Sequence, residues 1–219
     1  MSFLMVFLGI FKGFEITAIV TFVGLMYAVP FALLFGVLQT FSRGTWHGVV
    51  TAVIEFWRSS PAIILLYAFY YSLPAFGINL SAITVGAMVL GLNIGAYGSQ
   101  SVRAALQSLE RGQAEAGMAL GMDRLSVLWF IEFPQAITST IPNFINLTIQ
   151  LIKGTALVSL ITLSDMTYRA KEISQIQYNP VMVYTALVLA YCIVCYPVTI
   201  LGRRLERTLG KKRQAINEL

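Results

Sequence analysis

Charge is scarce in this sequence. Only 11% of its 219 residues are Asp, Glu, Lys or Arg, against about 25% in an ordinary soluble domain. With 57% hydrophobic residues and a mean hydropathy of +0.74, a water-soluble globule is excluded. Histidine is nearly missing, since His47, beside Trp46 in a short polar turn, is the single one. That leaves a membrane enzyme without the clustered acids, His or Cys it needs. The two cysteines, Cys192 and Cys195, sit in an apolar run, where a thiol behaves as a small hydrophobe rather than as a redox centre. No Gly, four residues, Gly-Lys-Ser/Thr loop is present to hold a nucleotide phosphate, and no filter-like or charged-ring repeat suggests a channel. Met1 to Phe11 lacks the basic start and small-residue cleavage site of a secretory signal, so the spans themselves are expected to direct insertion.

What the chain does have is long uncharged runs. A charge at the bilayer centre costs at least about 2.5 to 3.5 kcal/mol, which makes such runs a ruler for spans about 20 residues long. Five spans are predicted in one domain, 1–219: residues 16–42, 49–72, 82–102, 136–160 and 181–201. The second and third share a charge-free run, broken by the turn formers from Ser72 to Asn79. Residues 1–15 are apolar but interrupted by Gly9, Lys12, Gly13 and Glu15, a pattern read as a helix lying on the outer surface.

The net charge of +5 points to the membrane surface rather than to nucleic acid, because of where the cations fall. Arg43, Arg103, Arg111, Arg124 and the tail residues Arg203, Arg204, Arg207, Lys211, Lys212 and Arg213 all lie on one side of a five-span arrangement. Lys12, Arg169 and Lys171 lie on the other. Basic loops stay cytoplasmic, so the expected topology is amino terminus outside, carboxyl terminus inside. Tyr67, Phe69, Tyr70 and Tyr71 then form an aromatic belt at the outer end of the second span.

Two polar stripes cross the expected bilayer. Asn143, Asn146, Gln150 and Lys153 are spaced 3, 4 and 3 apart, and Asn93, Tyr97 and Gln100 are spaced 4 and 3, so each set shares one helical face. Polar groups in lipid turn toward a bundle interior or a wet cavity, or serve as interhelical hydrogen-bond glue. Both stripes are expected to line a solute pathway, with Lys153 as its cation. Glu55 and Arg58, three apart, can pair on one helix face, and Pro61 bends or restarts the helix just beyond them, as a gate or as a structural knot.

The loop 103–128 carries the most specific pattern. Gln107 to Met122 is rich in helix formers and amphipathic, which suggests a short helix lying across the membrane surface. Within it, Glu115-Ala116-Gly117 is followed by Gly121, then nine residues, then Ile131, one residue, and Phe133-Pro134. This resembles the coupling-loop signature of binding-protein-dependent ABC importer permeases: Glu-Ala-Ala, three residues, Gly, nine residues, Ile, one residue, Leu-Pro. Gly117 and Phe133 depart from it, and the other five positions match, a coincidence on the order of one in a million per register by composition.

The resemblance spans nearly the whole chain and narrows to the polar amino acid branch, which includes histidine, glutamine, arginine and opine permeases. Glu55-Phe56-Trp57-Arg58-Ser59-Ser60-Pro61 is similar to that branch's Glu, two residues, Arg-Gly-Thr-Pro segment. Lys153-Gly154-Thr155-Ala156-Leu157-Val158-Ser159 is similar to its Lys-Asp-Thr-Ser-Leu-Val-Ser. The resemblance implies an all-α polytopic fold of the type I importer class. It implies ATPase coupling through Glu115, Ala116, Gly117 and Gly121, and a substrate pathway along Asn93, Tyr97, Gln100, Asn146, Gln150, Lys153 and Thr155. The implied partners are an ABC ATPase dimer, a second permease subunit (the same chain or a different one), an extracytoplasmic solute-binding protein and the bilayer of a bacterial plasma membrane. On this reading the chain is a translocation subunit, not an enzyme; it holds no metal or cofactor, and ATP and Mg belong to the partner ATPase. Gly154 and Gln100 stand where the branch usually has acids, which argues against cationic solutes and for a zwitterion, an acidic amino acid or a compatible solute such as ectoine.

Overall fold

The computed structural model describes residues 2–217. Met1, Glu218 and Leu219, and the side chains of tail residues 207 and 209–217, which include the cations at 207, 211, 212 and 213, lie outside what is described. Among the described residues every regular element is helical. Helices α1 (Phe3–Phe11) and α2 (Phe14–Phe41) meet at Lys12 and Gly13 and together form an apolar run of 39 residues. At 1.5 Å per residue that is about 58 Å, well beyond a bilayer core of about 30 Å.

Helix α1, expected to lie on the outer surface, instead continues α2 and packs within the chain. Its Val6 and Ile10 are fully buried, packed on Met166 and Ala170 of α9 (Met166–Gln177) and on Val183, Ala186 and Ala190 of α10 (Pro180–Asn217). A Cβ on Gly13 would sit 2.4 Å from the Asp165 carbonyl oxygen. The absence of a side chain there lets the start of α9 rest on the turn between α1 and α2.

The predicted second span, 49–72, is not a single rod. Helix α3 (Gly44–Ser59) stops at Ser60, and α4 (Ala62–Tyr67) restarts after Pro61 and winds down through a π turn (Ala68–Ser72) and a 3-10 turn (Leu73–Phe76). The two parts are bent by 96°. Proline cannot donate to the carbonyl four residues back, and its ring crowds the preceding turn.

Helix α5 (Ala82–Gln107) runs five residues past its expected end, capped at its start by the Ser81 hydroxyl accepting from the Thr84 N–H at 3.1 Å. Loop 103–128 holds α6 (Arg111–Ala119), shorter than the expected Gln107 to Met122, and α7 (Arg124–Val127). A π turn, Leu128–Glu132, leads into α8 (Phe133–Gly154), which tightens into a 3-10 segment, Thr155–Ile161.

The central packing is α2 against α5. Gly24, Ala28, Ala32 and Gly36 repeat every fourth residue along α2, and Ala87, Gly91, Gly95 and Ser99 do so along α5; all eight are buried. A Cβ on Gly91 would fall 2.3 Å from the Gly24 carbonyl oxygen, and one on Gly36 would fall 2.8 Å from that of Ser99. Lipid tails are as apolar as leucine, so backbone contact across small residues, not hydrophobic exclusion, joins helices in a membrane.

Candidate functional site

The break at Pro61 frees the last carbonyls of α3, and α5 supplies donors for them. Asn93 Nδ2 donates to the Trp57 carbonyl at 2.6 Å, the one Pro61 is unable to satisfy, and the Tyr97 hydroxyl donates to the Arg58 carbonyl at 3.1 Å. Unsatisfied carbonyls are costly away from water. Gln100 Nε2 donates to Gln39 Oε1 at 2.9 Å, and Gln39 Nε2 donates to Thr51 Oγ1 at 3.1 Å, tying α5, α2 and α3 together. The polar stripe expected on the third span thus faces α3 and α2, and its hydrogen bonds hold helices together. Gln39, 3% exposed, escaped the sequence reading, although a lone Gln in an otherwise apolar run was the available signal.

Glu55 and Arg58 pair as expected, at 2.9 Å, and Ser59 donates to the same carboxylate at 3.1 Å. Both side chains are more than a third exposed, so the pair contributes at most about 1 kcal/mol. The stripe on α8 divides. Asn143 donates to Ser101 of α5, whereas Asn146, Gln150 and Lys153 are exposed along the surface of the chain. Asn146 lines a cavity of about 230 Å³ with Ile145 and Ile149 and, from α10, Thr199, Gly202, Arg203 and Glu206. Thr155 is fully buried and donates to the Ile152 carbonyl at 2.7 Å, inside its own turn. Neither Glu55 nor Glu132 is the counterion of Lys153, because Arg58 and Arg124 hold them. Among the described residues, the two stripes therefore do not meet across one cavity.

The loop 103–128 forms an elbow. Glu115 and Ala116 are exposed on α6, while Gly117 is buried, and a Cβ there would meet Ile131 Cδ1 at 2.9 Å and Val127 Cγ2 at 3.0 Å. The third residue of the signature is thus the seat of α6 on the turn before α8. Gly121 ends the helix with a φ of +90°, and its surroundings are open; only the left-handed backbone demands glycine there. Asp123 caps α7, accepting from the Leu125 N–H at 3.2 Å and from the Ser126 hydroxyl. The Ser126 hydroxyl, above all, holds this exposed carboxyl below its usual range, with slight desolvation opposing it. Gln135 Nε2 of α8 donates to Gln113 Oε1 of α6 at 2.8 Å. Arg124 reaches Glu132 at 2.9 Å and lies 5.0 Å over the Phe41 ring.

Long apolar helices and a seam of small residues between them mark an integral membrane protein. Residues 28–211 match the family described as "Binding-protein-dependent transport system inner membrane component", and the chain belongs to it. It is 30% identical over 208 residues to a probable amino-acid ABC transporter permease protein, y4tF, of Sinorhizobium fredii, covering 92% of this chain and 87% of that one. It is 28% identical to the glutamine transport system permease protein GlnP of Escherichia coli, covering 90% of this chain and 91% of that one. Among solved structures, an amino acid ABC transporter with histidines superposes with a TM-score of 0.82 at 28% identity, covering 91% of this chain and 94% of its own. The inward-facing MetNI methionine ABC transporter superposes with a TM-score of 0.73 at 21% identity, covering 91% and 94%, a likeness of fold. The architecture is that of a type I ABC importer permease.

Proposed function

We propose that this chain is the translocation subunit of an amino-acid importer, moving solute inward by alternating access driven by a partner ATPase. The observation that carries this is the elbow: a Glu115 to Gly121 signature, exposed on one side and seated through Gly117 on the turn that begins α8. Glu115 offers an anionic contact to an ATPase cleft. A second permease subunit completes the pathway, an extracytoplasmic binding protein delivers solute, and the elbow and tail face the cytoplasm, where basic residues concentrate.

Amino acids, rather than a compatible solute such as ectoine, are favoured by the relatives' names. The pathway on this chain is the exposed face of α8, with Asn146, Gln150 and Lys153. An ammonium held in lipid without a partner is costly, so Lys153 belongs in a wet cleft facing the second subunit, where it meets a solute carboxylate. Replacing Lys153 with Met is expected to leave insertion and ATPase copurification intact and to cut amino-acid uptake at least about tenfold, one charge-assisted contact's worth. Uptake at the wild-type rate would remove Lys153 from the pathway.

A further inference from the structure

One side chain of the elbow serves two spans at once. Arg124 opens α7; its guanidinium is 2.9 Å from Glu132, in the π turn that becomes α8, and 5.0 Å from the ring of Phe41, the last residue of α2. The Glu132 side chain is only 12% exposed, so it depends on this partner: a buried carboxylate stripped of its counterion is strongly unfavourable. Beyond these contacts α2 packs chiefly on α3, α5 and α8 rather than on the elbow. Of the elbow's other attachments, Gly117 against Val127 and Ile131 and Gln113 to Gln135 lead to α8 and its approach, while Leu109 and Leu128 pack in one cluster with Val102, Ala105 and Leu106 of α5, which Leu33 and Val37 of α2 adjoin.

We infer that Arg124 is a positioning residue for coupling: its charge ties the elbow to α8 through Glu132, and its planar face ties the elbow to α2 through Phe41, so that one displacement of α6 moves both spans together. This rests on the coupling role proposed above for α6. The chemistry separates the two links. Charge alone suffices at Glu132, whereas the contact over the Phe41 ring is made by the broad guanidinium, which the compact, strongly hydrated ammonium of lysine reproduces only in part.

The test uses the complete transporter, with its ATPase and binding protein, in proteoliposomes. Both native cysteines are replaced by Ala, and an environment-sensitive fluorophore is attached through Leu120→Cys on the elbow, Thr138→Cys on α8 or Leu38→Cys on α2, three positions that are exposed. Mg-ATP with vanadate is the probe. In an otherwise native background all three labels are expected to respond. With Arg124→Gln the Leu120 signal stays, and those at Thr138 and Leu38 fall at least about twofold. Phe41→Ala lowers Leu38 alone, to the same extent, and the exchange Arg124→Glu with Glu132→Arg restores Thr138 alone. Should Arg124→Gln fail to assemble, Arg124→Lys decides, with Thr138 retained and Leu38 reduced. Undiminished responses at both spans in Arg124→Gln, or in Arg124→Lys where it is the deciding variant, overturn the inference. So does loss of the Leu120 signal along with the other two, which marks a collapsed elbow. A Leu120 label silent in the native background instead refutes the coupling role of α6, and this inference falls with it.

Discussion

Gly121 shows how a single backbone angle can hold a motif position. A Cβ there meets nothing within this chain, yet φ is +90°, so alanine is expected to cost about 1 to 2 kcal/mol by strain alone. Asparagine, which tolerates the left-handed region, should cost less. Hydrogen exchange of the α6 amides in the assembled transporter measures this: faster exchange in Gly121→Ala than in Gly121→Asn is the expected order, and equal rates would mean the glycine is kept for its partner's approach instead. Asn93 makes the complementary point. Its spacing allows either contact with solute or an interhelical hydrogen bond, and the carbonyl orphaned by Pro61, 2.6 Å away, takes its amide.

Between elements, small residues decide the outcome. Gly91→Val drives a branched side chain into the Gly24 carbonyl, 2.3 Å from where its Cβ would lie. The expected loss is about 1 to 3 kcal/mol or more, as in overpacked cores, read as a lower yield of folded protein in detergent. Gly112→Ala, in the first turn of α6 with open space around it, should be harmless or gain up to about 1 kcal/mol in helix propensity. At the start of α9, Asp165 is fully buried, accepting from the N–H groups of Thr167 at 3.1 Å and Tyr168 at 2.9 Å. Burial pushes its carboxyl above 3.8, with the Tyr168 and Thr167 N–H groups opposing. A carboxyl with a raised folded-state value binds its proton more readily when folded, so the stability it contributes is present at low pH and lost as pH rises through that raised value. Relative to Asp165→Asn, which keeps the cap without the charge, the native protein should therefore lose melting temperature as pH rises from below 3.8. A parallel pH profile for the two would show that the burial carries no penalty.

For the whole molecule the consequential expectation is topology. Ten cations on one side against three on the other predict a cytoplasmic tail and an extracytoplasmic segment from Ser164 to Pro180. A membrane-impermeant thiol reagent applied to intact cells should leave a cysteine introduced at Arg213 unmodified and should modify one introduced at Gln175. Labelling at Arg213 would invert the chain and move the elbow to the face that no ATPase reaches.

Composition and spacing alone made the membrane class, the helical fold and the family legible, because each depends on local quantities: charge per span, residues per turn, and five fixed letters in and after α6. The break at Pro61 was equally readable, since a missing N–H is a property of one residue. The destinations of the polar side chains were not. Helical periodicity fixes which residues share a face, but the neighbour of that face is set by how helices pack, and α5 turned Asn93, Tyr97 and Gln100 toward α3 and α2 rather than toward Lys153. The four-residue rhythm from Gly24 to Gly36 and from Ala87 to Ser99 was present in the letters. Only the folded chain revealed that these two seams match each other, because a small residue says that something approaches closely and not what does.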